Sequence, residues 1–502
     1  MAGIGFRLKK LLAEDTYTGL MKGYVFSAVI SSGPWLLSVL CLSLLAVFSA
    51  PIITGPARQV FSAMVVYVYA FSLVLTGFLQ ITVTRFVADE LYYKKRETIA
   101  GSFISVMLLT IVLQFTVSAV FMSFSNLALV YKVSFIILSI IVSCIWQLMI
   151  FLSASSDYKT IISGFLAGAV ISFAGGILGG KYLGLAGYLN GYIAGQAVTF
   201  FILAFKTCEE YRIFYTQSKV TDESKQNSSG MNWKFAGHII KYPELMLIGA
   251  FSFLAIWIDK FIFWTGKTGV KAADIFYTAP AYDTALFFAN LTIVPAMAHF
   301  LIAVETEFYS CYKAFYIAIS DKSSLGVLQS KKQNMVKSLK KSFYELVKMQ
   351  FIIVITTVYF APQISSYLRL TPESIPVLRA GVIGINLQAV FMMISIILLY
   401  FDLRKPVLYI NMFFLVSNAL LAVYSKHLGP AFYGSGYLAS CLLTFIFSFI
   451  LLFHYIKNLE FLTFMNQPIA GELPDSQKLR VSDTGGYGRY HIKDSKVVFV
   501  PK

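Results

Sequence analysis

The sequence predicts an all-α protein that crosses a membrane about twelve times. Hydrophobic residues make up 57% of its 502 residues, and charged residues make up only 13%. The stretch 23–57 contains no charged residue and is longer than the roughly 20 residues that a helix needs to cross a bilayer. A soluble protein would be much richer in charge. Composition and segment length therefore both indicate a polytopic membrane protein.

Twelve apolar stretches are separated by charged or turn-forming residues. They are 21–48, 60–84, 101–125, 132–153, 160–180, 183–205, 241–264, 277–303, 347–365, 375–401, 406–424 and 432–456. Ahead of the first stretch, MAGIGFRLKKLLAED has the apolar stripe of an amphipathic helix at a membrane surface. The apolar region that follows it is too long for the core of a cleaved signal peptide.

Lysine and arginine are distributed unequally between the two sides of the predicted spans. If the N-terminus is cytoplasmic, the inner segments hold 32 of the 41 Lys and Arg residues, and the outer segments hold the other nine. The positive-inside rule therefore places both termini in the cytoplasm, with the spans in the cytoplasmic (inner) membrane. The net charge of +16 is explained by this topology and by contact with anionic membrane lipids, so no nucleic-acid partner is expected.

The spans divide the chain into two halves of six helices. The predicted segments are an N-terminal amphipathic helix with the first half (1–206), a cytoplasmic linker (207–235), the second half (236–457) and a hydrophilic cytoplasmic tail (458–502). A short repeat supports the division, because Gly187-Tyr188-Leu189 opens span six and Gly436-Tyr437-Leu438 opens span twelve. The sequence GGYGRYHIKDSKVVFVPK in the tail is compatible with a hairpin or with disorder.

A basic cytoplasmic segment at 305–348 interrupts the second half. Apolar residues recur in it at helical spacing, while the lysines between them stay on the polar side; the apolar set is Leu328, Met335, Leu339, Phe343 and Leu346. This pattern predicts a basic amphipathic helix that lies on the inner membrane surface. A docking surface for a cytosolic partner is the alternative.

Span one contains a candidate hinge at Gly33 and Pro34. Proline removes a backbone hydrogen bond and clashes with the preceding turn, so the helix is expected to bend or break there. The bend is either a packing kink or a hinge that opens a central cavity. In spans five and six, glycines recur mostly at intervals of four, which lets helices approach closely. These glycines are Gly164, Gly168, Gly176, Gly180, Gly184, Gly187, Gly191 and Gly195.

Three charges lie within apolar spans, at similar predicted depth in the outer half of the membrane. Asp259 and Lys260 come late in span seven, and Asp283 comes early in span eight. Ionisable groups inside a membrane are costly and usually face a partner or a water-filled cavity. Because neighbouring residues on a helix point about 100° apart, we expect Lys260 to pair with Asp283 while Asp259 faces the cavity, or the reverse. A structural ion pair is the alternative to contact with substrate or an ion.

Four further charges are candidates for a cavity or an inner gate. Lys22 and Glu244 occupy matching inner positions on the leading helix of each half. Cytoplasmic interfacial placement also explains both of them. Arg85 and Asp89, four residues apart at the inner end of span two, are expected to form a local helix pair.

Cysteine and histidine give no sign of a metal or a disulfide framework. The five cysteines are scattered along the chain, and the five histidines show no paired ligand spacing. No metal, cofactor or catalytic residue is therefore expected.

Five stretches, read in order, closely resemble the PelG family of inner-membrane transporters for Pel exopolysaccharide. They are MAGIGFRLKKLL, VISSGPWLLS, VTRFVADELY, AIWIDKFIFW and AVETEFYSCYKAFY. The resemblance covers about residues 1–460. It implies a fold of the MOP flippase superfamily, with two six-helix bundles around a central cavity.

The resemblance also implies a function and partners. PelG-like proteins move an N-acetylgalactosamine-rich glycan for the biofilm matrix, together with a cytosolic glycosyltransferase and membrane partners that include a cyclic-di-GMP receptor. Most Lys and Arg residues here lie in inner loops or at helix ends, which suits a neutral glycan better than a pyrophosphate lipid. Aromatic residues within the spans could stack on sugars or anchor the lipid interface; examples are Tyr67, Tyr69, Trp146, Trp257 and Trp264.

Two other classes of function stay open on the sequence. One is a lipid-linked oligosaccharide flippase or multidrug antiporter of the same fold. The other is a membrane glycosyltransferase or polymer ligase, which usually needs acidic motifs in a substantial outer loop. The longest outer connection, around Lys267 to Asp274, is short. We therefore expect a transporter that is not an enzyme.

Overall fold

The structure is a computed structural model that describes residues 17–213, 232–465, 489–493 and 496–500. Its longer helices are α1 (Tyr17–Phe48), α2 (Gly55–Tyr92), α3 (Arg96–Ser123), α4 (Leu129–Ala154), α5 (Tyr158–Glu210), α7 (Pro243–Trp264), α11 (Leu325–Tyr359), α13 (Ser374–Tyr400), α14 (Arg404–Leu428) and α15 (Ser435–Lys457). Shorter helices are α6 (Lys234–Lys241), α8 (Pro280–Leu291), α9 (Val294–Ala303), α10 (Tyr309–Ser320), α12 (Ala361–Tyr367) and α16 (Leu459–Met465).

Strands are few in the described part of the chain, where they form two antiparallel hairpins. One pairs β1 (Val270–Ala273) with β2 (Phe276–Thr278), between α7 and α8. The other pairs β3 (Arg489–Lys493) with β4 (Lys496–Val500) near the C-terminus. The tail therefore contains the hairpin that its sequence allowed.

The predicted spans are confirmed as helices. Eleven helical segments of the described residues are long and apolar enough to cross a membrane. One of them, α5, has 53 residues and holds two predicted spans, because Gly184 interrupts it with φ 59° and ψ −141°. A left-handed backbone of this kind is readily adopted only by glycine. The protein is thus an all-α, multi-pass membrane protein.

The two arms of α5 pack against each other through their glycines. A Cβ atom added at Gly191 would lie 2.1 Å from the backbone of Gly175, and one at Gly187 would lie 2.1 Å from the carbonyl oxygen of Gly179. No larger side chain fits at such distances, so the prediction of close helix packing is confirmed.

The chain forms two compact units. Unit 1 contains residues 29–283 and 418–427. Within it, α2 packs against both α4 and α7. The contact with α7 is as close as the contact within α5, since a Cβ atom at Gly249 would lie 2.1 Å from the carbonyl oxygen of Gly77. A buried cluster that includes Phe86, Leu148 and Phe151 fills one end of this unit.

Unit 2 contains residues 2–28, 284–417 and 428–502. Its tightest helix pair is α13 and α15, and α11 packs against α10 and α13. Tyr437 of α15 is buried and donates a hydrogen bond to the side-chain oxygen of Gln388. Tyr188, its counterpart in the proposed repeat, is likewise buried in unit 1 and donates to Ser49 at 3.1 Å. The division into halves at 207–235 stays a prediction.

The basic segment differs from its prediction. A π-helical turn (Val304–Phe308) and α10 precede α11, which is continuous with the predicted ninth span. Leu328, Met335, Leu339 and Leu346 are all buried inside the protein. The apolar stripe is therefore covered by protein and does not lie on a membrane surface. Helical spacing is the same in both cases, so the sequence could not tell the two apart.

Helix α1 continues unbroken through Gly33 and Pro34. The expected break is therefore wrong, while the role of this pair as a hinge stays a prediction. Ser38 donates to the carbonyl oxygen of Pro34 at 3.1 Å, which gives that oxygen a side-chain hydrogen bond within the helix. The amphipathic N-terminus at 1–16, most of the linker and the tail residues 466–488 lie outside the described residues.

Candidate functional site

The β1–β2 hairpin closes one end of unit 1. Phe276 on β2 is completely buried. Its ring lies 5.0 Å from the ring of Tyr67 and 5.7 Å from the rings of Phe121 and Phe135, measured between centroids. The short outer connection of the sequence analysis is thus an ordered hairpin that inserts an aromatic side chain among α2, α3 and α4. We call this end of the unit the hairpin end.

Tyr67 holds the hairpin through its backbone as well. Its hydroxyl donates to the carbonyl oxygen of Tyr277 at 2.9 Å and accepts from the N–H of the same residue at 3.2 Å. Its ring stacks on Trp264, with 4.5 Å between centroids and 14° between planes. Tyr67 and Trp264 are both buried, so in this structure they are held inside unit 1 and do not offer a free face to a sugar.

A carboxylate fixes the turn of the hairpin. Asp274 accepts hydrogen bonds from the Ser125 hydroxyl at 2.7 Å and from the Asn126 N–H at 2.5 Å. These hydrogen bonds, with nearby Lys271 and Lys132, lower the pKa of Asp274 below its usual value. The ionised form that holds the turn is therefore present at neutral pH. Its contribution to stability is lost only as the pH falls through that lowered pKa.

Asp259 is the most deeply placed charge at the hairpin end. Its side chain has no exposed surface, and its Oδ2 atom accepts a hydrogen bond from the Tyr282 hydroxyl at 2.7 Å. Tyr282 is buried too, and its ring stacks on Phe263 with 3.9 Å between centroids. The pair connects α7 with the start of α8 inside unit 1.

Lys260 pairs with its own neighbour. Its ammonium nitrogen lies 3.7 Å from Oδ1 of Asp259 and donates to the carbonyl oxygen of Ile256 at 3.0 Å. It also lies 5.4 Å from the centre of the Trp257 ring, which gives a cation–π contact. The flexible lysine stem folds back along its helix, and this satisfies the charge without a second helix.

The predicted pairing of Lys260 with Asp283 is therefore wrong. Asp283 accepts from the Trp264 indole N–H at 2.8 Å and from the N–H of Ala279 at 2.9 Å. Reaching back to the residue ahead of α8 resembles a capping box and places the carboxylate near the positive end of the helix dipole. Sequence depth and sign brought the three charges to one region but could not show these competing local partners.

A lysine from a distant part of the sequence completes this end. Lys426 on α14 donates to the carbonyl oxygen of Ile262 at 2.7 Å and also to the carbonyl oxygen of Thr265. The last carbonyl groups of α7 have no partners within their own helix, and a cation at a helix C-terminus is favourable. Asn418, two turns earlier on α14, donates to the carbonyl oxygen of Ala255 at 2.8 Å. The hairpin end of α7 is therefore bound on several sides.

Taken together, these groups form what we call the Asp259 cluster: Asp259, Lys260, Trp264, Tyr282 and Asp283. Its members satisfy one another within the protein, and the most deeply buried carboxylate has both a hydroxyl donor and a nearby ammonium group. This geometry supports the structural reading of the three charges. Within the described residues, no three His, Cys, Asp or Glu side chains could hold a metal ion together.

The four remaining charge candidates occupy different environments. Arg85 and Asp89 form the expected pair at 3.2 Å, and His238 on α6 approaches the same carboxylate to 3.5 Å. The pair therefore also attaches α6 to α2, which the sequence did not predict. Lys22 is exposed and Glu244 is half-buried in the first turn of α7. A role for either in an inner gate stays a prediction.

Two buried ionisable residues of unit 2 escaped the sequence analysis. His299 on α9 and Glu305 in the π-helical turn are each only 5% exposed. His299 was missed because histidines were considered only as metal ligands in pairs. Glu305 was missed because it was counted within a cytoplasmic segment. A search for single ionisable residues next to apolar runs would have found both.

The fold is that of transporters of the MOP superfamily. A MOP superfamily transporter from Pyrococcus furiosus superposes with a TM-score of 0.57 at 14% identity, covering 88% of this chain and 96% of that chain. An outward-facing multidrug resistance MATE family transporter gives 0.58 at 16% identity, covering 86% and 96%. The inward-facing conformation of a MATE family transporter gives 0.58 at 14% identity, covering 84% and 95%. Identities this low concern the fold alone.

The sequence identifies the family. The family model of PelG, described as "Putative exopolysaccharide Exporter (EPS-E)", matches residues 1–464. The chain therefore belongs to the PelG family of exopolysaccharide exporters. The sequence matches none of the curated proteins with which it was compared. Family and fold both point to a transporter and not to an enzyme.

We predict that Tyr282→Phe destabilises the protein because it leaves the buried Asp259 carboxylate without its hydroxyl donor. Such a loss costs about 1–3 kcal/mol. Combining it with Asp259→Asn should give a coupling of at least about 0.5 kcal/mol in a double-mutant cycle of thermal unfolding in detergent.

The matched control is Tyr277→Phe, at a tyrosine that is 40% exposed and joins the hairpin through its backbone. It should leave stability within about 0.5 kcal/mol of the native protein. Equal losses for the two tyrosine variants, or strict additivity of Tyr282→Phe and Asp259→Asn, would show that the buried pair contributes nothing special.

Proposed function

We propose that this protein carries a Pel-type exopolysaccharide, an N-acetylgalactosamine-rich glycan, across the cytoplasmic membrane for the biofilm matrix. The observation that carries the proposal is the PelG family match over residues 1–464 on a MOP transporter fold. The distribution of lysine and arginine supports placing both termini in the cytoplasm. A cyclic-di-GMP receptor in the membrane belongs to the same proposal as a partner, on the strength of the family resemblance.

The chemistry of the Asp259 cluster supports a transporter without covalent chemistry of its own. Its carboxylates are occupied by Tyr282, Trp264 and Lys260. A general acid or base must reach the proton that it transfers, and a fully buried and occupied carboxylate does not offer that access in this conformation. Polymer synthesis would then fall to a separate cytosolic glycosyltransferase.

The second part of the proposal concerns where that glycosyltransferase docks. Helix α11 has 35 residues, or about 52 Å at 1.5 Å per residue, while the hydrocarbon core is about 30 Å thick. About 20 Å of the helix therefore extends beyond the bilayer core. The hydropathy of the sequence places this extension at the lysine-rich end, starting at Leu325.

A basic groove of about 590 Å³ lies on this extension. Its lining comes from one face of α11 and from α16: Gln329, Lys332, Gln333, Val336, Lys337, Lys340 and Glu460. Lys332 is used internally, because it lies 3.3 Å from Glu460 and donates to the carbonyl oxygen of Lys457 at 3.0 Å. Lys337 and Lys340 are exposed. We propose that they contact an acidic surface of the glycosyltransferase.

Removing the chain from cells that make the polymer tests the transport function. Exopolysaccharide outside the cells should fall to background, while the glycosyltransferase stays active in extracts. Free glycan should then accumulate inside, because the proposed cargo is the growing polymer. Accumulation of a lipid-linked oligosaccharide would instead support the flippase alternative, and unchanged export would contradict both readings.

The docking proposal is tested by the double substitution Lys337→Glu and Lys340→Glu. Reversing two charges opposite an acidic partner should reduce recovery of the glycosyltransferase with the purified membrane protein by about tenfold or more, most clearly at low salt. The helix should still form, because both side chains are exposed.

Lys94→Glu with Lys95→Glu is the matched control, since both lysines are exposed in the loop between α2 and α3. It makes the same change of charge on the proposed cytoplasmic side. Equal loss of the partner in both double variants would reduce the effect to net charge, and no loss in either would place the docking surface elsewhere.

A further inference from the structure

His299 joins three helices of unit 2. Its Nδ1 atom lies 2.9 Å from the hydroxyl of Tyr24 on α1, and its Nε2 atom lies 3.3 Å from the carbonyl oxygen of Ser342 on α11. The imidazole ring of α9 and the Tyr24 ring are nearly parallel, at 21°, with 6.2 Å between centroids. Both ring nitrogens therefore have partners although the side chain is only 5% exposed.

The partners fix where the proton of the neutral ring lies. A carbonyl oxygen can only accept, so Nε2 must carry the hydrogen that Ser342 receives. Nδ1 is then the acceptor, and the Tyr24 hydroxyl donates to it. A second proton on His299 would turn Nδ1 into a donor and would force Tyr24 to direct its own hydrogen elsewhere.

A carboxylate stands next to this exchange. Glu345 is exposed on α11, three residues beyond Ser342 and thus almost one helical turn away. It is close enough to Tyr24 to act on it electrostatically. The hydroxyl of Tyr24 is half-way between an exposed carboxylate and a buried imidazole, which is the order of groups that a proton relay requires.

Other charged groups on the packed elements are accounted for. Lys22 on α1 is exposed, and Lys341 on α11 is paired at 3.0 Å with Glu307 of the π-helical turn. Glu305 of the same turn is buried and faces Tyr400 on α13. The charged residue of α13 itself, Arg379, lies near the other end of that helix. Glu345 is therefore the unpaired acid on the path to Tyr24 and His299.

We propose that His299 is a proton-binding site within the membrane-embedded part of unit 2, loaded through Tyr24 from the side on which Glu345 is exposed. Histidine is the side chain that ordinarily changes charge near neutral pH. Binding a proton here reverses the direction of the Tyr24 hydrogen bond and introduces a charge where α1, α9 and α11 meet. The site goes beyond the proposed export function and does not depend on the nature of the cargo.

The test reads the protons of His299 directly. Replacing the other four histidines with glutamine leaves His299 as the single histidine; these are His238, His427, His454 and His491. The full-length variant, labelled with ¹⁵N-histidine in lipid bilayers, should show one neutral tautomer with its hydrogen on Nε2 at about pH 8. It should gain a second proton as the pH is lowered to about 5.

A charge variant tests the route. Glu345→Gln removes an opposite charge from the site and should shift the titration of His299 to lower pH by about 0.3–1 unit, which is a two- to tenfold loss of proton affinity. Glu97→Gln, at an exposed carboxylate of α3 in unit 1, should leave it unchanged. A single-histidine variant that keeps only the exposed His454 gives the reference for a solvated ring.

Three results would overturn the proposal. His299 could stay neutral over the whole range, its neutral form could carry hydrogen on Nδ1, or its titration could match that of His454 and ignore Glu345→Gln. None of these readouts requires glycan transport. Their failure therefore leaves the exporter function standing, and failure of export leaves them intact.

Discussion

The fold depends on satisfying a carboxylate, Asp259, that has no exposed surface inside a membrane protein. An unpaired charge in such surroundings is costly, and lipid offers no hydrogen bonds to reduce the cost. The Tyr282 hydroxyl and the Lys260 ammonium supply what lipid cannot. Because Tyr282 is on α8 and Asp259 on α7, meeting this requirement fixes how the chain turns at the hairpin end. The same two charges that look anomalous in the sequence thus determine a helix connection.

Other features of unit 1 follow from that fixed turn. The β1–β2 hairpin lies between the two helices that the Asp259 cluster joins, so Phe276 and Asp274 are brought onto α2, α3 and the loop after α3. The close approach of Gly77 and Gly249 holds the other part of α7 against α2. Helix α7 is therefore held along its length, by backbone packing in one part and by buried polar contacts in the other.

Composition and periodicity were sufficient to predict the helices, because crossing a bilayer requires long apolar segments whatever their neighbours are. They also gave the glycine contacts of α5 and the Arg85–Asp89 pair, which depend on local spacing. They failed where the outcome rests on which of several partners is nearest. Lys260 turned back to Asp259, the stripe ending at Leu346 was covered by protein, and α1 continued through Pro34. His299 and its three-helix contact have no periodic signal at all.

Transport of the growing glycan is the central claim, and reconstitution tests it most directly. Purified protein in proteoliposomes, supplied on one side with the glycosyltransferase and its nucleotide sugar, should deliver polymer to the other side. Digestion by a glycoside hydrolase added only to that far side measures delivery. The account predicts digestible polymer in vesicles that contain this protein and none in vesicles without it. Polymer that stays in the compartment of synthesis although the protein is present, or that crosses equally well in its absence, would contradict the account.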